Sequence, residues 1–190
     1  MSTDPRPSAD RARLIEIIRK RSYGTGVVIK LASGRTSDFY FNMKPTMLDP
    51  EGAYLIGKLV SEAIAPREAD MVGGLEMGAV PIAAAVAAMS FAGGHPLPAF
   101  FVRKQTKEHG TQSLIEGLVK GETIRGKRVI ILEDVTTTGG SSLKAIDAIK
   151  AEGGSVVRVI TLVDRLEGAA ESFAAAGVRF DPLLTVADFR

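Results

Sequence analysis

Residues 129–141 read VIILEDVTTTGGS. The apolar residues predict a buried strand over 128–132, and two acids, Glu133 and Asp134, follow at its carboxyl end. A loop rich in Thr and Gly, residues 136–141, then leads into a predicted helix. Backbone N–H groups in such a loop, with a helix N-terminus behind them, form a phosphate site. The two carboxylates would repel a bare phosphate, so the pattern favours a phosphorylated sugar whose hydroxyls donate to the acids or a metal that the acids meet.

The flanking sequence alternates between strand and helix patterns. We predict strands over 27–31, 39–42, 71–75, 98–102, 128–132, 156–163 and 179–184, and helices around 14–21 and over 50–65, 78–91, 140–152 and 166–176. This alternation indicates an α/β fold whose central sheet is mainly parallel. Ligands of such sheets bind outside the carboxyl ends of the strands, after residues 75, 102, 132 and 163.

Composition limits the chemistry that is available. The chain has 190 residues, 24 Lys and Arg against 22 Asp and Glu, and no Cys. We therefore expect one domain and exclude disulfides, a thiol nucleophile and Cys-ligated metals. The first ten residues lack the apolar stretch of a signal peptide, and the longest apolar run, 79–92, is too short to span a bilayer, so we expect a soluble, cytoplasmic protein.

A basic segment follows the predicted strand 98–102. It reads Arg-Lys-Gln-Thr-Lys-Glu-His-Gly over residues 103–110, and 103–128 holds seven cations against three acids. Three later glycines and weak apolar periodicity indicate a loop. Taken alone, a solvated charge run explains this segment better than a binding loop does.

Both segments resemble one family. Residues 129–141 closely resemble the phosphoribosyl pyrophosphate (PRPP) motif of type I phosphoribosyltransferases, and the pattern Arg-Lys-x-x-Lys-x-His-Gly resembles the catalytic loop of orotate phosphoribosyltransferases. Residues 28–42 and 74–87 are similar to two further regions of that family. The resemblance implies the type I phosphoribosyltransferase fold, with an N-terminal hood over about 1–45 and a PRPP-binding core over about 46–190.

The implied reaction joins orotate and PRPP into orotidine 5'-monophosphate and pyrophosphate, assisted by Mg²⁺. Carried over by position, the residues expected to stabilise the departing pyrophosphate are Arg103, Lys104, Lys107 and His109. Those expected to bind PRPP are Glu133, Asp134, Val135, Thr136, Thr137, Thr138, Gly139, Gly140, Ser141 and Lys44. Those expected to bind orotate are Arg165, Thr137, Tyr40 and Phe41. We expect PRPP itself to hold most of the Mg²⁺ coordination, with Asp134 as the candidate protein ligand. The resemblance also implies a homodimer whose basic loop reaches the neighbouring active site.

Several assignments have alternatives. Arg165 could instead pair with Glu167 or Glu171, and any one ring of 39–41 could pack in the core. Glu76 could bind a ligand or only hold its own turn. Some family members carry lysines where this chain has Ala32 and Met77, so those contacts cannot be transferred, and we hypothesise that Lys44, with Lys30, replaces part of that charge.

Two other functions share this fold. A phosphoribosyltransferase for another base would share residues 129–141 but would lack the basic loop pattern. A PRPP-sensing regulator would need a nucleic-acid surface, for which Arg19 to Arg21 is the candidate, although a solvated helix face explains those residues better. We therefore expect no nucleic-acid or membrane partner.

Overall fold

The computed structural model describes residues 8–30, 36–105 and 113–190. The helices are α1 (Ala9–Arg21), α2 (Lys44–Met47), α3 (Pro50–Ala63), α4 (Ala79–Ala92), α5 (Gly140–Ala151) and α6 (Ala169–Ala175). The strands are β1 (Tyr23–Lys30), β2 (Thr36–Phe41), β3 (Met71–Leu75), β4 (Ala99–Val102), β5 (Ile115–Glu116), β6 (Arg128–Thr136), β7 (Ser155–Asp164) and β8 (Arg179–Thr185), and a 3-10 turn, Val186–Asp188, follows β8. None of the helices in this described part is long and apolar enough to cross a membrane.

The six strands of the main sheet lie in the order β5-β4-β3-β6-β7-β8. All neighbours are parallel except β5, which pairs antiparallel with β4. The chain passes from β3 to β4 on one side of β3, and β6 then lies on its other side. The strand order therefore reverses between β3 and β6, and such a point is where open α/β sheets bind ligands.

Both faces of the main sheet are covered. Side chains alternate along β6, so Ile130 and Leu132 pack with α1, α3 and α4, whereas Val129 and Ile131 pack with α5 and α6. The continuous apolar run of β6 is explained by this double burial. The mainly parallel α/β fold predicted from the sequence is confirmed.

The hood consists of α1 and the antiparallel pair β1 and β2. Ser8 caps α1 by accepting from the Arg11 N–H at 3.2 Å. The end of the chain packs into this hood, because the Phe189 ring lies 5.6 Å from the Tyr23 ring and 5.1 Å from the Phe41 ring, between centroids. Arg11 also donates to the Asp188 carboxylate at 3.0 and 3.1 Å. Hood and core are therefore joined through residues that lie at opposite ends of the sequence.

The element boundaries differ most from the predicted ones at β6, at the hood strands and at α6, and the sequence did not predict α2 or β5. β6 continues to Thr136 instead of ending at residue 132, because its pairing with β7 persists beyond the apolar run. β1 begins at Tyr23 instead of residue 27, and β2 begins at Thr36 instead of residue 39. α6 is shorter than predicted, since Gly168 precedes it in a left-handed conformation.

Candidate active site

The phosphate loop ends at the N-terminus of α5. Gly139, the residue before the helix, has φ +85°, a conformation that glycine adopts without strain. A Cβ at this position would lie 2.9 Å from the Phe173 ring. The N-cap residue is this glycine, so it offers no side chain to the N–H groups of the first turn, which carry the positive end of the helix dipole. This arrangement suits a phosphate.

The two acids of β6 have different surroundings. Glu133 is 7% exposed, and its Oε2 accepts from the Ser142 hydroxyl at 2.8 Å. Burial, and secondly the charge of Asp134, raise the pKa of Glu133 to about 8. Asp134 is half-buried, and its Oδ1 accepts from the Val135 N–H at 2.9 Å. Asp134 is the more exposed of the two acids, and its side chain also interacts with that of Glu133 through a hydrogen bond.

Asp134 touches the loop that follows β3. A Cβ on Gly78 would lie 2.6 Å from Oδ1 of Asp134, so the carboxylate occupies the space that a side chain at residue 78 would need. In the same loop, Glu76 accepts from the Lys104 N–H at 2.9 Å through Oε1. The end of β6 and the loops after β3 and β4 are therefore in contact at the point where the strand order reverses.

The base of the basic loop is held at the edge of the sheet. The Arg103 N–H donates to the Leu114 carbonyl at 2.8 Å, and the Arg103 guanidinium lies 3.5 Å from Oε1 of Glu116. Together with the Lys104 bond to Glu76, these contacts bring the two ends of the loop together beside the β3 loop. The loop therefore starts and ends beside the loop that follows β3.

Arg165 follows β7, the strand next to β6. Its backbone N–H donates to the Thr136 carbonyl at 3.0 Å, which fixes it beside the phosphate loop. The Arg165 guanidinium carbon lies 4.3 Å from the centroid of the Phe39 ring, and Nη2 donates to the Ser37 hydroxyl at 3.0 Å. Nε also donates to Glu167 at 2.9 Å. A hood aromatic ring and a core arginine thus meet next to the phosphate site.

Comparisons with known proteins decide which family this site belongs to. The model of the phosphoribosyl transferase domain matches residues 46–178. The chain is 59% identical over 182 residues to the orotate phosphoribosyltransferase of Bradyrhizobium diazoefficiens, which covers 96% of this chain and 97% of that protein. The chain belongs to the orotate phosphoribosyltransferase family.

Solved structures of the orotate phosphoribosyltransferase family agree with this assignment. The enzyme from Mycobacterium tuberculosis in complex with Fe(III) dicitrate has a TM-score of 0.81 at 43% identity, and the match covers 95% of this chain and 98% of that one. Its complex with PRPP gives a TM-score of 0.76 at 40% identity, with the same coverage. The type I phosphoribosyltransferase fold predicted from the sequence is therefore confirmed.

The structure brings together part of the set predicted from the orotate phosphoribosyltransferase resemblance. The residues that meet at the carboxyl edge of the sheet are Arg103, Lys104, Glu133, Asp134, Val135, Thr136, Thr137, Thr138, Gly139, Gly140, Ser141 and Arg165. Lys107, His109 and Ala32 lie outside the described residues. Lys44 is exposed at the start of α2, and Met77 is 58% exposed in the β3 loop. The roles of Lys107, His109 and Lys44 stay predictions.

The three aromatic residues of β2 are placed on two sides of the hood strands. Phe39 is buried against Arg165, whereas Phe41 packs with Tyr23 at 5.0 Å between ring centroids. The Tyr40 ring lies across Gly24 on the opposite side, since a Cβ there would fall 2.2 Å from its Cε1. Ligand contact by Tyr40 and Phe41 stays a prediction, and Phe39 is the ring that touches the predicted orotate arginine.

Sequence reasoning did not identify three residues of this site. Gly78 was predicted only to begin a helix, although the adjoining acid-Met-Gly loop follows a buried strand and so marks a sheet edge. Ser142 gives no sequence signal beyond its place one turn into α5. Arg190, whose guanidinium carbon lies 4.9 Å from the Phe39 centroid, is distant in sequence and could not have been predicted.

Proposed function

We propose that this chain transfers the phosphoribosyl group of PRPP to orotate, giving orotidine 5'-monophosphate and pyrophosphate in pyrimidine synthesis. The observation that carries the proposal is the placement of Arg165 and Phe39 beside the phosphate loop. A planar cation next to an aromatic ring suits a flat, anionic pyrimidine. Arg165 lies about one strand spacing from the phosphate loop, because Thr136 on β6 pairs with Asp164 on β7, the residue before Arg165.

PRPP would lie across the switch point of the sheet. The N-terminus of α5 would bind its 5'-phosphate, because uncapped N–H groups and the helix dipole both favour an anion there. Glu133, which accepts from the Ser142 hydroxyl, and Asp134 would accept from the ribose hydroxyls. Lys44 remains the candidate for additional positive charge.

The donor chemistry of Asp134 also fits Mg²⁺. This cation binds through one or two carboxylates together with substrate phosphates, and Asp134 is a half-buried carboxylate at the site. A bound Mg²⁺ would neutralise charge on the pyrophosphate. Asp134 and PRPP would hold the ion between them.

The basic loop would stabilise the leaving pyrophosphate. Loss of pyrophosphate from the anomeric carbon builds negative charge on the departing oxygens, and cations placed beforehand lower the energy of that state. Arg103 and Lys104 stand at the base of the loop, and we propose Lys107 and His109 as the groups nearer the chemistry. Orotate is already anionic, so the displacement needs positioning more than a protein base.

A second copy of the chain is proposed to cover α4. This helix has no charged residue in Ala79–Ala92, and Phe91 is 76% exposed at its end. A helix that is apolar on all sides is normally buried, and α4 adjoins β4, from which the basic loop starts. A homodimer formed here would bring each loop towards the partner's site. We also propose that the protein is cytoplasmic and binds neither nucleic acid nor membranes.

Complementation between variants tests the shared site. Lys107→Ala and Asp134→Ala proteins should each be nearly inactive. If the loop acts across the dimer, mixing them after mild dissociation should restore activity, because each mixed dimer regains one complete site. Mixed dimers that stay inactive would show that the loop acts within its own subunit.

The activity itself is tested with four bases. Purified protein, PRPP and Mg²⁺ are incubated separately with orotate, uracil, hypoxanthine and adenine, and the ultraviolet absorbance of the base is followed. We expect turnover with orotate alone. Turnover of uracil or a purine, combined with no turnover of orotate, would refute the proposed function.

A further inference from the structure

Two guanidinium groups contact the same aromatic ring. The guanidinium carbon of Arg165 lies 4.3 Å from the centroid of the Phe39 ring, and that of Arg190 lies 4.9 Å from it. The two cations can be no farther apart than the sum of these distances. A ligand placed by Arg165 beside Phe39 is therefore within reach of Arg190 as well.

The charges of the two arginines are not equally available. Arg165 is buried, and both its Nε and its Nη2 lie 2.9 Å from the same oxygen of Glu167, which offsets its charge. Arg190 is exposed, and within residues 8–30, 36–105 and 113–190 no side-chain carboxylate forms an ion pair with its guanidinium. Among the described residues, Arg190 therefore places a guanidinium at this ring that no side-chain carboxylate offsets.

The backbone leading to Arg190 is held firmly. The 3-10 turn before it has a capping box, in which Thr185 and Asp188 bond reciprocally, and Arg11 donates twice to Asp188. Phe189 is buried in the hood's aromatic cluster. Because its neighbour is fixed, Arg190 loses less conformational freedom on binding than a residue in a free tail would.

We infer that Arg190 binds the carboxylate of the pyrimidine and selects orotate over bases that lack this group. The inference rests on the proposed function, since it assumes that the pyrimidine lies against Phe39. A guanidinium matches a carboxylate with two parallel hydrogen bonds, and Arg165 then remains to hold the ring. The pyrimidine end of the site would thus use Arg165, whose charge is partly neutralised by Glu167, and Arg190, which pairs with no side-chain carboxylate of the described residues.

Binding of two nucleotides isolates the carboxylate. Orotidine 5'-monophosphate and uridine 5'-monophosphate differ only in that group, so their affinities are measured by calorimetry for the wild type, Arg190→Gln and Arg190→Lys. We expect Arg190→Gln to weaken orotidine 5'-monophosphate about tenfold and to leave uridine 5'-monophosphate unchanged. Arg190→Lys, which keeps the charge, should recover part of the loss. In steady-state assays the KM for orotate should rise similarly, with the KM for PRPP unchanged.

Arg179→Gln is the matched control, because Arg179 is an exposed arginine on β8 that pairs with Asp181 away from the site. It should leave both affinities unchanged. An unchanged affinity for orotidine 5'-monophosphate in Arg190→Gln would overturn the inference, as would equal weakening of both nucleotides, which would indicate a structural effect. Either result, with orotate still turned over by the wild type, leaves the proposed function intact, whereas no turnover of orotate refutes that function separately.

Discussion

Replacing Gly78 with Ala should damage substrate binding without damaging the fold. Gly78 has φ −58° and ψ −43°, angles that alanine adopts readily. The added Cβ would lie 2.6 Å from Oδ1 and 2.9 Å from Cγ of Asp134, too close for any real contact. The clash is with a side chain, so the Asp134 carboxylate can turn away while the backbone stays in place. The substitution therefore acts as a displacement of one carboxylate.

The two expected effects have different sizes. Turning Asp134 away breaks its bond to the Val135 N–H, which costs about 1 kcal/mol, and Gly→Ala at compatible angles recovers about 0.4–1 kcal/mol. Net stability in urea unfolding should therefore change by less than about 1 kcal/mol. Loss of charge-assisted bonds to the ribose, worth about 1.5–3 kcal/mol, should raise the KM for PRPP by about tenfold or more.

A double-mutant cycle shows whether the effect passes through Asp134. Asp134→Ala removes the displaced carboxylate, so adding Gly78→Ala to that nearly inactive variant should change its dissociation constant for PRPP, measured by calorimetry, little further. If Gly78→Ala weakened PRPP equally with and without the Asp134 carboxylate, the reasoning from the clash would be wrong. A loss of several kcal/mol in stability would also contradict it.

Three further substitutions test other parts of the structure. The raised pKa of Glu133, about 8 against the usual 4.5, means that between these values the folded protein keeps a proton that the unfolded protein releases, so stability falls as pH rises. The stability of Glu133→Gln relative to the wild type should therefore increase between pH 5.5 and 7.5, by up to about 1.4 kcal/mol per pH unit in urea unfolding, and a constant difference would contradict this. Gly139→Ala should lower the free energy of unfolding by about 2 kcal/mol or more in the same assay and should reduce the affinity for PRPP, because residue 139 has a positive φ and a Cβ there would contact the Phe173 ring. A variant with unchanged stability and affinity would show that the loop tolerates a side chain. Arg158→Met should lower the free energy of unfolding by about 3 kcal/mol, because buried Arg158 bridges Glu68 and Asp181. Its kcat should be unchanged, since Arg158 lies at the start of β7, far from the carboxyl edge of the sheet. A stability equal to that of the wild type would contradict this and would show that packing of Met compensates for the lost ion pairs.

The predicted fold was correct where hydrophobic runs and chain direction determine it. The alternation of strands and helices gave the parallel sheet and its ligand-binding edge. The end of β6 was predicted too early, because the run of apolar residues stops at Leu132 while pairing with β7 continues from Glu133 to Thr136. Hydropathy reports burial, whereas strand continuation here depends on hydrogen bonds to the neighbour.

The same continuation explains what the sequence could not reveal about the acid pair. Because both acids are part of β6, their surroundings depend on what packs against the strand: Ser142 donates to Glu133, and the Asp134 carboxylate lies against Gly78. The two acids still interact, because, in addition to burial, the charge of Asp134 and a side-chain hydrogen bond to it both raise the pKa of Glu133. Their common assignment to the ribose stays a prediction.

In the proposed site, the two halves of the substrate would be held by parts of the molecule that differ in how they are stabilised. The phosphate end would lie on β6 and α5, whose side chains pack within the doubly covered sheet. The pyrimidine end would combine β2, the residue after β7 and the end of the chain, and Phe189, which packs against Tyr23 and Phe41, joins the end of the chain to the hood. The Arg11 bond to Asp188 is partly exposed and contributes about 1 kcal/mol or less, whereas burying a phenylalanine contributes about 1.5–3 kcal/mol. Aromatic packing in the hood, more than the ion pair, therefore sets the geometry that receives the base, and loosening it should weaken orotate before it weakens PRPP.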